Sequence, residues 1–171
     1  QVLEDAGIEI VATFAGEWSD GVGQQQLSSV LAANPDLDGI FSQVYGETIS
    51  AAFEQAGRDY IPCTAFMTNA GCLAAIDNDM PIIIGNNIPG LSAVALQIAV
   101  DVLDGETVEQ NTLVEPGQFV MDTSVDVGVE TTLIEEGVNC FRDLPGAFDW
   151  PALPADFEPQ ITVEDIQDYQ Q

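Results

Sequence analysis

Neutral polar and aromatic side chains recur in four short loops of the sequence, each of which follows an apolar run. The loops cover residues 16–19, 43–46, 67–71 and 86–90. Amide side chains offer paired donors and acceptors that suit the adjacent hydroxyls of a sugar or polyol, and an aromatic ring can stack on the apolar face of a sugar. Such residues are also common in helix caps and turns, so it is their recurrence in four successive loops that favours a ligand site. The candidate ligand-binding residues are Trp18, Gln43, Tyr45, Thr68, Asn69, Asn86 and Asn87.

The apolar runs before these loops have the length and composition of buried β-strands. They cover residues 8–14, 39–42, 60–66 and 81–85, and a shorter run covers 118–121. Helical segments are predicted at residues 19–33, 47–57, 72–77, 91–103 and 127–136. This alternation predicts an α/β fold, a parallel sheet with helices on both faces. Open sheets of this kind bind ligands at the carboxyl ends of their strands, which is where the four loops are placed.

Local signals indicate where several of these helices begin and end. Ser19 or Asp20 is suited to cap the first long helix by accepting hydrogen bonds from its free amides. Asn34-Pro35 ends that helix, because proline lacks an amide donor and disfavours helical geometry in the residue before it. Gly57 suits the left-handed position that ends the next helix.

The stretch from Asn34 to Gly57 resembles a known family. It reads Asn-Pro-Asp-x-Asp-x-hydrophobic-Phe, then a polar loop, then an Ala-rich helix that ends in Ala56-Gly57. This pattern is similar to the C-terminal lobe of periplasmic sugar-binding proteins of the ribose-binding type, which serve ABC importers and have the type 1 periplasmic binding fold. The resemblance extends over roughly residues 1–125.

The resemblance implies that the chain is divided into three parts. Residues 1–87 would form most of the C-terminal α/β ligand-binding lobe, which is Rossmann-like. Residues 88–122 would cross a hinge, place one helix on the other lobe and return as a strand, so that much of the apolar face of that helix would be exposed or repacked in this chain. Residues 123–171 would form an irregular tail strapped on the surface.

The resemblance also implies roles for two of the candidate residues. Trp18 falls where relatives place an aromatic residue that stacks on the sugar. Asn87 falls where they place the amide that ends the crossing strand and bonds the sugar. Both roles agree with the chemistry that the side chains offer on their own.

The sequence departs from the family pattern in two of the loops. The usual Asn-Asp pair after the second strand is here Val44-Tyr45, with Gln43 alongside. The usual Gly-Phe-Asp is replaced by Ala-Phe-Met at residues 65–67, so the ligand-binding Asp is absent. Thr68 or Asn69 would then take its place.

By resemblance, the chain is expected to be the solute-binding component of an ABC transporter, present as a fragment. Its ligand would be a neutral sugar or polyol, and the membrane permease of the importer would be the partner of the full-length protein. The alternative is the sugar-sensing effector domain of a LacI-type transcriptional regulator, or a receptor with the same fold. The expected location is the periplasm or the extracellular space, with a lipid anchor upstream of Gln1 as one means of attachment. The sequence has no long apolar segment for direct membrane insertion.

The charge of the chain is strongly negative. Asp and Glu number 29 against 2 for Lys and Arg, which gives a net charge of −27. This charge disfavours nucleic acid, anionic lipid and anionic ligands. Because the acidic residues are spread along the chain, they favour adaptation to a saline, halophilic habitat over a specific cationic partner. Salt shortens the Debye length from about 10 Å at 0.1 M to about 3 Å at 1 M, so we expect the melting temperature to rise steeply with salt.

The residues needed for several catalytic and metal chemistries are missing. The sequence has no His, no Gly-x-Ser-x-Gly and no P-loop Lys, and Asp77 and Asp79 are interpreted as solvated carboxylates. We therefore expect no enzyme activity, no cofactor and no metal site. Cys63 and Cys72 would either close a small disulfide loop or, with Cys140, be buried free thiols.

Overall fold

Helices and strands alternate along much of the chain in the computed structural model, which describes residues 2–85, 91–111 and 117–142. The helices are α1 (Val2–Asp5), α2 (Asp20–Ala33), α3 (Gly46–Ala56), α4 (Asn69–Asn78) and α5 (Leu91–Leu103). The strands are β1 (Cys63–Phe66), β2 (Ile82–Gly85), β3 (Gln118–Val120) and β4 (Thr132–Leu133). Within these ranges, no helix combines the length and the apolar character that crossing a membrane requires.

The four strands form one sheet in the order β1-β2-β3-β4. β1 and β2 are parallel, β2 and β3 are antiparallel, and β3 and β4 are parallel. Beyond β1, the segment 40–45 continues the sheet through single parallel bridges from Ile40 to Cys63 and from Tyr45 to Phe66. The predicted α/β class with a mostly parallel sheet is therefore confirmed.

The helix ends follow the signals in the sequence. The Ser19 hydroxyl accepts a hydrogen bond from the Val22 amide at the start of α2, as expected of an N-cap. α2 ends at Ala33, immediately before Asn34-Pro35. Gly57 has a left-handed φ of 62° and ends α3, a conformation that glycine adopts without steric cost.

The core is built around α3. Ile49, Ala52 and Phe53 of this helix have no exposed surface. α3 packs against α2, α4 and β1, and the Phe53 ring lies 5.3 Å from the Tyr60 ring. Most of the buried apolar side chains come from the first 85 residues, which include this helix and the elements that it contacts.

Arg58, just after the end of α3, joins that end to the end of α2. Its guanidinium donates to the backbone carbonyls of Leu31 and Asn34, each at 2.9 Å, and to that of Pro35 at 2.7 Å. These carbonyls are at or just after the C-terminal end of α2, where the helix dipole favours a cation. One of the two cations of the chain is therefore used to hold a helix end.

Residues 8–14 do not form the predicted strand. Ile8, Ile10 and Val11 are about half exposed, at 51%, 46% and 50%. A buried parallel strand needs cover on both faces, and α1, the helix before it, has four residues and buries none of them. The described residues do not provide this cover, and the run does not pair with the sheet.

The predicted helix at residues 127–136 is also wrong. This segment contains β4 instead, and Gly128 in it has a left-handed φ of 77°. The Ile134 amide donates to the Val120 carbonyl at 2.8 Å, which continues the pairing with β3. Pairing with a neighbouring strand therefore outweighs the helical spacing of the local sequence.

α5 has the predicted bounds, but much of its apolar surface faces solvent. Leu96, Val102 and Leu103 are 66%, 53% and 85% exposed. Among the described residues, α5 makes no extensive contact with another helix or strand. The resemblance implies an orphaned apolar face on this helix only if the chain crosses a hinge, and the crossing inferred for residues 88–122 stays a prediction.

Candidate functional site

The amino ends of three helices meet at one edge of the fold. The Thr48 hydroxyl of α3 donates to the Asp20 carboxylate at the start of α2, at 2.8 Å. The Thr68 hydroxyl at the start of α4 donates to the Glu47 carboxylate of α3, at 2.7 Å. Both carboxylates lie in the first turn of a helix, where the dipole favours negative charge. These contacts fix the loops between strands and helices relative to one another.

Two glycines allow the first turns of α3 and α4 to approach each other closely. A Cβ atom at Gly46 would lie 3.0 Å from the Gly71 Cα, and one at Gly71 would lie 3.0 Å from the Gly46 amide nitrogen. Any larger residue would push the helices apart. The same edge includes Gly16, where a Cβ would lie 2.9 Å from the Val44 side chain. Small residues therefore determine the spacing of the loops.

Trp18 is presented on a tight turn with an unusual backbone. The Ser19 amide donates to the Gly16 carbonyl at 2.9 Å, and the two residues between them, Glu17 and Trp18, have φ values of 53° and 52°. This left-handed geometry costs a non-glycine residue roughly 1–2 kcal/mol. Retained strain of this kind is concentrated at functional sites. The turn leaves the Trp18 side chain 72% exposed.

Three aromatic rings form a wall at the carboxyl end of β1. The Trp18 ring lies 6.2 Å from the Phe66 ring at an interplanar angle of 89°, and the Tyr45 ring lies 6.1 Å from Phe66 at 64°. Edge-to-face contacts of this type hold rings in fixed orientations. We call Trp18, Tyr45 and Phe66 the aromatic cluster. Gln43, which is exposed, lies on the same loop as Tyr45.

The structure does not present Thr68 and Asn69 to a ligand. Both are buried, at 5% and 8% exposure. Thr68 caps α4 by accepting from the Gly71 amide at 2.9 Å while donating to Glu47. The Asn69 side chain exchanges two hydrogen bonds of 2.8 Å with the backbone of Phe141. Their polar atoms thus have structural partners, and they do not replace the missing Asp.

Asn86 and Asn87, the last two sequence candidates, lie outside the described residues. β2 ends immediately before them at Gly85, which pairs with Phe66 at the end of β1. The structure therefore places Gly85, the residue before Asn86-Asn87, beside Phe66 of the aromatic cluster in the sheet.

Two residues at this edge were not among the candidates. Phe66 is the ring that both Trp18 and Tyr45 contact. Gln118 pairs with Gly85 in the sheet, and its amide would lie 3.5 Å from a Cβ built on Gly85. The signal for Phe66 is its position as the last residue of a strand. Gln118 gives no local signal, because an antiparallel pairing brings it to the edge.

A cavity of about 700 Å³ lies between the unpaired segment 8–16 and the segment 39–45. Its lining includes Trp18 and, from the segment 39–45, Phe41, Gln43 and Tyr45. Most other lining side chains are aliphatic, including Ile8, Ile10, Val11, Leu27 and Leu37. The ring and amide that suit a hydroxyl-rich ligand are found at the aromatic cluster, so we place the candidate site there rather than along the groove.

The charged groups around the site are acidic. Glu17, Asp20 and Glu47 lie in or beside the converging loops. Arg142 instead pairs with Asp77 and Glu136, which raises the pKa of the guanidinium and lowers the pKa of the Asp77 carboxyl. In the ranges that the structure describes, no group of three or more potential metal ligands is found. The arrangement suits a neutral ligand that can stack on a ring.

Comparison with known families decides the affiliation. A family model described as a periplasmic binding protein domain matches residues 1–107. The chain belongs to the periplasmic binding protein family. The resemblance seen in the sequence is thereby confirmed. A comparison with curated proteins finds no match.

Three solved structures are similar to this member of the family. An ABC transporter solute-binding protein from Agrobacterium vitis with bound D-fucose is 21% identical, with a TM-score of 0.57 over 68% of this chain and 42% of that chain. A protein from Mycobacterium smegmatis in complex with β-D-fucofuranose is 25% identical, with a TM-score of 0.58 over 70% and 41%. The binding component of the arabinose ABC transporter from Shewanella sp. ANA-3, bound to α- and β-L-arabinofuranose, is 19% identical, with a TM-score of 0.61 over 72% and 44%.

The matched part of each structure is less than half of its length, between 41% and 44%. Two of the three are described as solute-binding or periplasmic binding components of ABC transporters. The similarity to the structures from Agrobacterium and Shewanella, at 21% and 19% identity, supports the shared fold.

Proposed function

We propose that this protein is the solute-binding component of an ABC transporter and that it binds a neutral sugar or polyol outside the cytoplasm. The observation that carries the proposal is Trp18, an exposed indole held on a strained turn and braced by Phe66. A flat aromatic face on the same edge as the exposed amide of Gln43 suits a ring with an apolar face and peripheral hydroxyls. The sugars bound in the similar structures, fucose and arabinose, belong to this chemical class.

The proposal includes a site shared between two parts of a longer protein. The aromatic cluster supplies one wall, and Gln43 supplies an amide beside it. Ligands of this size are usually bound with most of their surface buried, which one exposed wall cannot provide. We infer that further sequence completes the cleft and that a membrane permease is the partner of the whole protein. Asn86 and Asn87 stay in the proposal as hydrogen-bonding residues on the strength of the sequence alone.

The test is titration calorimetry with the longer protein that contains this chain. The panel holds fucose, arabinose, other neutral monosaccharides, polyols, amino acids and sugar phosphates. We expect binding of one or more neutral sugars or polyols and no binding of the sugar phosphates, which would find only acidic neighbours at the site. Binding restricted to an amino acid or an anion would refute the ligand assignment. Micromolar binding of a sugar by the 171 residues alone would refute the shared site.

Trp18→Ala and Phe41→Ala distinguish the aromatic cluster from the groove. The two side chains are similarly exposed, at 72% and 74%, but Phe41 is not part of the cluster. Loss of stacking at Trp18 should cost about 1–3 kcal/mol, by analogy with bases stacked on aromatic residues, which weakens affinity roughly 5- to 150-fold. Phe41→Ala should leave affinity within about twofold. An equal loss in both variants would place the ligand in the groove instead.

A further inference from the structure

Two of the three cysteines meet in the interior. Cys72 lies on α4 and Cys140 follows β4, and neither has exposed surface. All three cysteines are free thiols in the structure. Interaction with the Cys140 side chain, together with burial, raises the pKa of the Cys72 thiol. The two sulfur atoms are thus neighbours although 67 residues separate their positions in the chain.

Contacts on either side hold the two cysteines in place. One turn before Cys72, the Asn69 side chain exchanges two hydrogen bonds with the backbone of Phe141, the residue after Cys140. Asn139 fixes the other side: its amide donates to the Leu133 carbonyl at 2.8 Å and accepts from the Glu135 amide at 2.9 Å. The positions of both Cα atoms are therefore constrained independently of the thiols.

We propose that Cys72 and Cys140 form a disulfide that fastens the segment after β4 onto α4. The co-reactant is a disulfide donor, such as an oxidised dithiol oxidoreductase or oxidised glutathione. A cysteine thiolate attacks one sulfur of the donor, the mixed disulfide is then attacked by the other cysteine, and the donor leaves as two thiols. The protein loses two protons and two electrons, which the donor takes up, and one S–S bond forms as another is broken.

The structure favours this pair over the pairing of Cys63 with Cys72. Cys63 lies on β1, and burial raises the pKa of its thiol to about 12. The side chains of Cys72 and Cys140 instead interact, and the hydrogen bonds between Asn69 and Phe141 hold their two segments together. The short sequence separation that made Cys63 and Cys72 a plausible loop therefore does not decide the partner. Cys63 is expected to stay a free thiol.

Burial also determines when the bond can form. The thiolate is the reactive species, and a buried thiol with a raised pKa is rarely in that form. Oxidation of the closed fold should therefore be slow, whereas oxidation during folding should be efficient. Once formed, the bond should resist a thiol reductant until the segment after β4 detaches from α4.

The experiment refolds the reduced, denatured chain in a mixture of reduced and oxidised glutathione. The product is then denatured at mildly acidic pH with a maleimide, which blocks exposed free thiols while exchange is slow, and is cleaved with cyanogen bromide. Cleavage after Met67, Met80 and Met121 separates the cysteines, since Cys63 falls in residues 1–67, Cys72 in 68–80 and Cys140 in 122–171. Mass spectrometry should show residues 68–80 linked to 122–171, with Cys63 alkylated. Alkylation of all three cysteines, or a link that includes residues 1–67, would overturn the proposal.

Variants give a second readout that does not depend on peptide mapping. The oxidised wild-type protein should melt on the order of 10 °C above its reduced form, because the bond closes a long loop. Cys63→Ser should keep this difference, and Cys140→Ser should abolish it. A difference that survives in Cys140→Ser would refute the assignment, as would one that is lost in Cys63→Ser.

Discussion

α3 and α5 are helices of similar length with opposite surroundings. α3 buries Ile49, Ala52 and Phe53 completely, between α2, α4 and β1. α5 is rich in Val, Leu, Ile and Ala, yet Leu103 is 85% exposed. The apolar residues of a helix determine how much surface it can bury, but the elements beside it determine whether it does so. Exposed apolar surface on α5 is thus a property of its neighbourhood rather than of its composition.

Truncating one apolar side chain in each helix gives the largest expected contrast. Phe53→Ala should lower the free energy of unfolding by about 3–5 kcal/mol, because it leaves a cavity among packed side chains. Leu103→Ala, at an exposed position, should change it by less than about 0.5 kcal/mol. Urea denaturation followed by circular dichroism measures both. Equal losses would show that the α5 face is covered in solution and would remove the contrast.

The contact between α3 and α4 tests whether close packing of backbones, and not buried apolar area alone, stabilises the surroundings of α3. Gly71→Ala should cost about 1–3 kcal/mol, because its Cβ would lie within about 3.0 Å of Gly46 and of the Glu47 carboxylate. Gly21→Ala is the matched control in α2, where a Cβ would have no neighbour within 4 Å. That change should stabilise by about 0.4–1 kcal/mol. Gains at both positions would mean that the helices separate without cost.

Two helix caps extend the comparison to hydrogen bonds. Thr68→Ala should cost about 1–2 kcal/mol, because the buried hydroxyl caps α4 and also bonds Glu47. Ser19→Ala should cost about 0.5 kcal/mol, since its bond to the Val22 amide is exposed and 3.5 Å long. Thr68→Ser should recover most of the loss. Thermal melts of the three variants would contradict this ranking if Ser19→Ala were the more damaging change.

The smallest expected effect lies at the exposed ion pair of Asp77 and Arg142. The guanidinium lowers the pKa of Asp77, so the stabilisation is present above the unfolded-state pKa of about 3.9 and is lost as the pH falls through the lower folded-state value. Arg142→Met should move the pKa of Asp77 up towards its usual range. The pKa of Asp122, lowered by hydrogen bonds from Ser124, is the internal control and should not move. Carboxyl NMR titration measures both, and an unchanged Asp77 would exclude the ion pair in solution.

The sequence predicted those elements whose signals are local. Caps and helical spacing define α2, α3 and α5, because the free energies involved come from residues a few positions apart. The segment 8–14 was predicted wrongly since a strand is stabilised by its neighbours, and its composition does not reveal whether they are present. The same reason explains β4 in place of a helix at residues 127–136.

The candidate site was predicted in part for a related reason. Trp18 and Tyr45 stand out by side-chain chemistry, and the structure brings both to one ring. Thr68 and Asn69 have equally suitable chemistry but are satisfied by partners 21 and 72 positions away in the sequence, which spacing does not show. Phe66 was missed because its role comes from the rings that it supports rather than from a polar group of its own.

Arg58 also offers a way to measure local opening of the protein at the end of α2. The sequence has only two basic residues, both arginines, so trypsin has two peptide bonds at which to cut. The Arg58 guanidinium is occupied by carbonyls at the end of α2, and a protease must release it before binding the adjacent backbone. When opening is fast relative to cleavage, the cleavage rate follows the population of the open state. Digestion after Arg58 would therefore measure how often the end of α2 detaches, without any label or substitution.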